Sequence, residues 1–421
     1  MDYRIFPPED ILETTVSRLP LSKSVAARVL ILNALTPGAP AVSPQVLPGC
    51  ADIDVLRAAL TVRQSSVHAG HSGTALRFLT AYYAATEGTD VLLTGSERLC
   101  ERPIAPLVDA LRSLGADIAY EDREGFAPLR IRGHRLAGGR VTLDTRSSSQ
   151  FASALCMVAP GMEHGLHIDL GGQIPSLPYL KMTLAMLQTR GIDAHTHGYT
   201  VIVPSGTLAQ VEPEAERDWS SAAFWYAIAA ASAGWITLQG LTPSKLQGDA
   251  VLADIGPRFG VLTDYEDSDA CLSATPDIFS RMDMDMSDYP DLVPALAVVS
   301  CLVGLPFTFT GVANLRLKES DRLKALADNL LRLGIVTETG PDSFGWEGER
   351  VPVTRMPEID PCGDHRIAMA FAAAALFIPG IVIRNAEVAD KSYPGFWDDL
   401  RDAGFTLADP ADPMPQPADA E

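Results

Sequence analysis

Short runs rich in β-branched residues recur along this chain, most of them flanked by glycine: "TDVLLTG", "GRVTLDT", "GLHIDLGG", "YTVIVPSG", "GWITLQG", "LPFTFTGV" and "GIVIRNA". Their length and their flanking turn residues predict β-strands. Longer apolar stretches alternate with them and predict helices: "SKSVAARVLILNAL", "SGTALRFLTAYYAA", "SSSQFASALCMVA", "SLPYLKMTLAMLQTRG", "DWSSAAFWYAIAAA", "YPDLVPALAVVSCLVG", "KESDRLKALADNLLRLG" and "DHRIAMAFAAAALF". The result is an α/β pattern that repeats an architectural unit without repeating residues.

Each predicted helix opens on a polar or small cluster. Ser, Thr and Asp there suit N-caps, whose side-chain oxygens satisfy orphan backbone N–H groups, and capping alone accounts for any single start. Several starts also carry Lys or Arg, and a helix N-terminus with an added cation is a natural anion site. Several together point to a ligand with more than one anionic group.

At 421 residues the chain exceeds what one hydrophobic core serves, about 250 to 300 residues, so two domains are expected. The pattern is interrupted at "SRLPLSK" (17–23) and "EAERDWS" (214–220). Crossing between domains at both places gives one discontinuous domain of residues 1–19 plus 217–421 and another of 20–216. The tail "ADPADPMPQPADAE", 408–421, is rich in Pro, Ala and acid and predicts disorder. The stretch "VPALAVVSCLVGLPF" (293–307) is broken by Pro294, Gly304 and Pro306 and too short to span a bilayer, so it reads as a buried helix entering a turn. The opening "MDYRIFPPEDILETT" lacks a basic start followed by an apolar run, and a cytoplasmic protein is expected.

Charge narrows the partners. With 33 basic and 53 acidic residues the net charge is −20, which argues against nucleic acid or an anionic membrane. Any basic cluster is therefore local and its ligand small. Cys50, Cys100, Cys156, Cys271, Cys301 and Cys362 form no CxxC pair, which weighs against a zinc site or a disulfide framework.

Four basic or hydroxyl-rich stretches stand out: "LSKSVAAR" (21–28), "HSGTALR" (71–77), "SSSQ" (147–150) and "KESDR" (318–322). With them go "ERPIAPLVDAL" (101–111), "YPD" (289–291), "GDHRIAM" (363–369) and "DKSYPGFW" (390–397). Alone, "KESDR" is also what an exposed ion-pair network at a helix start looks like, worth ~0.3 to 0.5 kcal/mol per pair. In this order and spacing the eight motifs resemble the 5-enolpyruvylshikimate-3-phosphate synthases of the enolpyruvyl transferase family, from about Leu19 to Trp397.

That resemblance implies two domains built from repeated βαβαββ units with the active site in the cleft between them. It implies transfer of the enolpyruvyl group of phosphoenolpyruvate to the 5-hydroxyl of shikimate 3-phosphate, with release of phosphate, in aromatic amino-acid biosynthesis. No cofactor or metal is called for, and a monomer is expected. Carried over position by position, Lys23 touches both substrates, while Ser24, Arg28, Ser148, Ser149, Ser176, Asn314 and Lys318 bind shikimate 3-phosphate. Gln150 lies between the substrates. Gly73, Arg102, Arg322, Arg366 and Lys391 hold phosphoenolpyruvate, arginine forks suiting paired oxyanions. Asp291 accepts the proton of the attacking hydroxyl, and Glu319 donates one to the methylene carbon. Lys318 and Arg322, four apart, would share a helix face, with Glu319 three before Arg322. A carboxyl group between cations normally has its pKa lowered, so a donating Glu319 needs desolvation or transfer from substrate. His365, between Asp364 and Arg366, is a candidate to support the residues that touch substrate.

The chain departs from the family pattern in places. Leu21 stands where "PGSKS" has Gly, at a backbone position open to positive φ. His71 and Ser72 replace the Asn and Ala of "NAGTAMR"-like sequences. The segment from Asp54 to His71 is short and lacks a strand pair, so one repeat near 55–70 is incomplete. A rival within the family transfers to UDP-N-acetylglucosamine and carries a loop Cys. Cys100, inside "RLCERPI", instead follows the shikimate-type "RMKERPI" pattern, and "SSSQ" favours the same substrate. A non-catalytic anion-binding protein is the other rival. The presence of Asp291, Glu319 and Lys23 speaks against it.

Overall fold

The computed structural model describes residues 1–61, 64–145, 148–172, 174–212 and 216–412. Strands β1 (Tyr3–Phe6) and β2 (Glu13–Val16) come first, followed by helices α1 (Lys23–Leu35) and α2 (Ala51–Thr61). A complete βαβαββ unit then runs through β3 (Ser66–His68), α3 (Gly73–Ala85), β4 (Asp90–Thr94), the short α4 (Glu97–Cys100), α5 (Ala105–Ser113), β5 (Asp117–Tyr120) and β6 (Leu129–Arg132). The next unit comprises β7 (Gly139–Thr142), α6 (Gln150–Val158), β8 (Leu166–Asp169), α7 (Leu177–Gln188), β9 (His195–His197) and β10 (Thr200–Val203).

The chain then rejoins β2. Helix α8 (Trp219–Ser232), β11 (Trp235–Leu238), α9 (Leu252–Ile255), β12 (Val261–Glu266) and β13 (Asp269–Ala274) complete a unit that β2 began, with β2 and β11 parallel. The following unit holds β14 (Met282–Asp285), α10 (Val293–Val303), β15 (Phe307–Thr310), α11 (Arg322–Arg332), β16 (Glu338–Thr339) and β17 (Ser343–Trp346). The last has β18 (Glu358–Ile359), α12 (His365–Ala370), β19 (Ile381–Ile383), α13 (Phe396–Asp402) and β20 (Thr406–Ala408), and its sheet is finished by β1.

Each unit makes one four-stranded sheet, and the order is the same throughout: a parallel first pair, then the two remaining strands antiparallel, as in β3-β4-β6-β5 and β18-β19-β1-β20. Helices α1 and α2 have no sheet of their own among the described residues, so the segment from Lys23 to Thr61 is helical where the other units are mixed.

Buried hydrophobic residues form two clusters. One runs from Val25 to Leu208 and the other joins Ile5–Leu19 to Trp219–Phe405. The connecting segments lie side by side: Leu21 pairs with Arg217 in an isolated antiparallel bridge, Ser22 N–H donates to Glu216 O at 2.7 Å, and Asp218 N–H donates to Pro20 O at 2.9 Å. Leu21 is absent from the positive-φ residues among those described, so the branched side chain brings no backbone strain, against the expectation from its replacing glycine. Of the second interruption, residues 214 and 215 lie outside the described residues. Order extends past the start expected for the tail, because Ala408 ends β20 and Arg4 donates to Pro410 O and Asp412 O; residues 413–421 lie outside the described residues. Helix α10 is buried along nearly its whole length and stops at Gly304, whose φ of 78° suits glycine, so the apolar run 293–307 is a core helix and turn. No helix among the described residues is long and apolar enough to cross a membrane.

Candidate active site

Helix starts from both domains meet at one cavity. Five are closed by side-chain caps: Ser22 accepts from Val25 N–H, Ser72 from Ala75 N–H, Asp218 from Ser221 N–H, Asp321 from Lys324 N–H and Asp364 from Arg366 N–H. The starts of α6, α7 and α10 lack such a cap. Ser176, before α7, takes a φ of 59° instead and makes no capping bond. Ser147 of the "SSSQ" motif lies outside the described residues.

Fifteen sequence-predicted residues line this cavity: Lys23, Ser24, Arg28, Gly73, Arg102, Ser148, Ser149, Gln150, Ser176, Asp291, Asn314, Lys318, Glu319, Arg322 and Arg366. Lys391 joins them through Glu319, 2.8 Å from its Nζ. The enclosed space is about 80 Å³, far below the ~300 Å³ at which small-ligand pockets begin. The site's own carboxylates occupy four of its cations, Lys23, Arg322, Arg366 and Lys391.

Arg322 is the centre of that arrangement. It is 1% exposed and bonds three carboxylates: Asp364 from Nε at 2.7 Å, Asp291 from Nη1 at 3.0 Å and Glu319 from Nη2 at 3.0 Å. Arg366 adds a second contact to Asp291 at 2.9 Å. Burial would raise the Asp291 pKa, but Arg366, Arg322 and Lys318 outweigh it and hold the group ionised. Glu319 behaves alike: against its burial, Lys391, Arg322 and Arg102 keep its carboxyl well below the usual range. Burial pushes the Lys318 ammonium down to about 8.

The sequence expectation for "KESDR" needs correction. Helix α11 begins only at Arg322, Asp321 is its cap, and Lys318 is extended with ψ of −158°. Lys318 and Arg322 therefore share no helix face, and the Glu319–Arg322 pair forms across a turn.

Arg28 is largely committed to the protein. It donates to Thr183 Oγ1, Ser24 O, Ser153 Oγ and Tyr179 O, tying α1 to α6 and α7, and burial lowers its pKa to about 10. Lys23 Nζ lies 3.0 Å from Asp52 Oδ2. Gln150 donates to Thr74 Oγ1 at 2.8 Å. Gly73 permits a close approach: a Cβ there would stand 2.6 Å from Arg77 Nη1 and 2.7 Å from Arg102 Nη1.

Sequence reasoning missed Asp52, Thr74, Tyr179 and Asp249. Tyr179 had a signal, lying three residues after Ser176 at the same helix start. Asp52 and Asp249 had none beyond their charge. His365 is buried with neither ring nitrogen bonded, and burial, with Lys23 and Lys391 nearby, holds it neutral. Buried Arg77 Nε, Arg102 Nε and Asn314 Oδ1 are likewise without a partner. Such groups are costly unless something else bonds them, and Arg102, Asn314 and His365 line the cavity.

The family described as EPSP synthase (3-phosphoshikimate 1-carboxyvinyltransferase) matches residues 57–400. A 3-phosphoshikimate 1-carboxyvinyltransferase of Bacteroides fragilis is 42% identical over 417 residues, covering 97% of this chain and 99% of that protein. One from Haemophilus influenzae is 33% identical, covering 93% of this chain and 97% of that protein. Among solved structures, an EPSP synthase from Acinetobacter baumannii superposes with a TM-score of 0.76 at 22% identity, covering 97% of this chain and all of that one, which shows the shared fold.

Proposed function

Since the chain belongs to the EPSP synthase (3-phosphoshikimate 1-carboxyvinyltransferase) family, we propose how the side chains of its cleft divide the work of that family's reaction. The enzyme transfers the enolpyruvyl group of phosphoenolpyruvate to the 5-hydroxyl of shikimate 3-phosphate and releases phosphate. Both substrates are anions, and the reaction needs fixed cations, an acid and a base.

The observation that carries the assignment is one buried guanidinium, Arg322, shared by Asp291 and Glu319 at 3.0 Å each. Asp291 takes the proton of the 5-hydroxyl as its oxygen attacks C2 of phosphoenolpyruvate. Glu319 gives a proton to the C3 methylene, forming a tetrahedral intermediate. Collapse returns a methyl proton and breaks the bond from C2 to the phosphate oxygen.

Glu319 must carry a proton to begin, yet three cations hold it ionised when no substrate is bound. Phosphoenolpyruvate resolves this by supplying other anions to the same cations. As Arg322, Lys391 and Arg102 turn to its phosphate and carboxylate, the affinity of Glu319 for a proton rises, and Asp291 regains basicity as Arg366 and Arg322 are shared. Lys23, Gly73 and Gln150 complete the phosphoenolpyruvate side. Ser24, Arg28, Ser148, Ser149, Ser176, Asn314 and Lys318 receive shikimate 3-phosphate. The reading places residues 1–19 with 217–421 in one domain and 20–216 in the other, supported by the two buried clusters.

The test is phosphate release by purified protein with phosphoenolpyruvate and either shikimate 3-phosphate or UDP-N-acetylglucosamine, without added metal. Release with the shikimate ester alone is expected. Release only with the sugar nucleotide, or silence with both, overturns the assignment.

A further inference from the structure

Tyr179 reaches from α7 across the cleft to two carboxylates of the other domain. Its hydroxyl lies 3.1 Å from Asp291 Oδ2 and 3.2 Å from Asp249 Oδ2. A phenol has one hydrogen, so it satisfies one carboxylate and opposes the other with a lone pair unless a second proton is present. The two carboxylates are not equivalent. Asp291 has Arg322 and Arg366 beside it, whereas Asp249 makes no ion pair among the described residues. Asp249 is 3% exposed, receives one hydroxyl hydrogen bond from Ser220, and its Oδ1 is buried with no partner. An ionised carboxylate so placed is expensive, and a neutral one is not.

We propose that Asp249 is a positioning residue that keeps a proton through the catalytic cycle: its neutral carboxyl donates to Tyr179, whose hydroxyl then donates to Asp291 and aims the reacting carboxylate at the substrate hydroxyl. No proton is exchanged with substrate along this chain. It rests on the assignment of Asp291 as base, and it exists only when the cleft is closed, because Tyr179 belongs to the opposite domain. Burial, with Asp291 next to it, raises the Asp249 pKa to about 7. Other groups facing it are Asp218, which caps α8, Arg366 of α12, Tyr289 and Ser220.

Above about pH 7 Asp249 ionises, Tyr179 is contested by two anions, and kcat/KM falls. Asp249→Asn supplies a neutral donor that does not titrate. The variant is expected to keep kcat within about tenfold of wild type and to lose the decline near neutrality. Lys318, whose pKa burial lowers to about 8, still titrates on the alkaline side. A folded Asn variant that loses activity by about 100-fold or more, or that keeps the wild-type alkaline decline, overturns the proposal. If the variant does not fold, infrared difference spectra of wild type between about pH 6 and about pH 9 decide. A protonated-carboxyl band that titrates near neutrality supports the proposal, and its absence overturns it. Failure of the functional reading looks different: wild type would then release no phosphate from phosphoenolpyruvate and shikimate 3-phosphate, or Asp291→Asn would remain active.

Discussion

Glu319 and Asp291 are both tied down by cations before any substrate arrives, and this has measurable consequences for single residues. Glu319→Gln is expected to bind phosphoenolpyruvate while losing turnover by about 10²- to 10⁴-fold; equilibrium binding and kcat measured on one preparation separate the two effects. Because bound phosphoenolpyruvate competes for Lys391, Arg322 and Arg102, its binding is expected to take up protons near neutral pH. Calorimetry in buffers of different ionisation enthalpy reads this directly, and Glu319→Gln is expected to take up less. These two carboxylates were legible in the sequence because each sits in a short motif with its neighbours. Asp52, Tyr179 and Asp249 stand outside those motifs, and only folding brings them to partners 29, 112 and 70 residues away. Leu21 and Lys318 show the opposite error. Motif spacing suggested a backbone conformation for each, and a β-bridge at Leu21 and an extended conformation at Lys318 are what the chain adopts.

Helix starts do two jobs here, and α11 and α12 show how they divide. Among the described residues the Asp321 carboxylate caps α11 and otherwise meets only Arg316, so Asp321→Ala is expected to cost about 1 kcal/mol of stability with little change in kcat. Asp364 caps α12 through Oδ1 and bonds Arg322 through Oδ2 while fully buried. Asp364→Ala therefore leaves a buried guanidinium short of a partner, and a loss of about 3 to 5 kcal/mol is expected in urea unfolding, together with a raised KM for phosphoenolpyruvate. Among strands, sequence reading found β4, β8, β10, β11, β15 and β19, which are inner strands and read as apolar β-branched runs, and β7 at an edge. Among the strands it missed are inner β6, "LRIR", because arginines alternate with its buried positions, inner β13 and β17, and β16 and β18, because two residues carry no period.

Closure of the whole molecule depends on close backbone approach. Ser176 N–H donates to Ser287 O at 2.7 Å, and a Cβ on Gly248 would stand 2.2 Å from Pro178 Cβ at the start of α7. A proline ring cannot turn aside. Gly248→Ala is expected to leave the melting temperature nearly unchanged but hold the cleft ajar, raising KM and lowering kcat together, which steady-state kinetics and small-angle scattering would both detect. The molecule's connectivity also sets a schedule. Strand β1 lies between β19 and β20, which are made some 375 residues later (381 minus 6), a delay of roughly 20 to 75 s at ordinary synthesis rates. Throughout that interval both of its edges lack their partners, and for the later part of it, once residue 216 has been added, the segment proposed as the inserted domain has all of its own residues and can fold on the ribosome. A nascent chain of this enzyme thus carries a finished half beside a waiting strand, which makes the last sheet the step most open to chaperone capture and to pairing with the wrong chain.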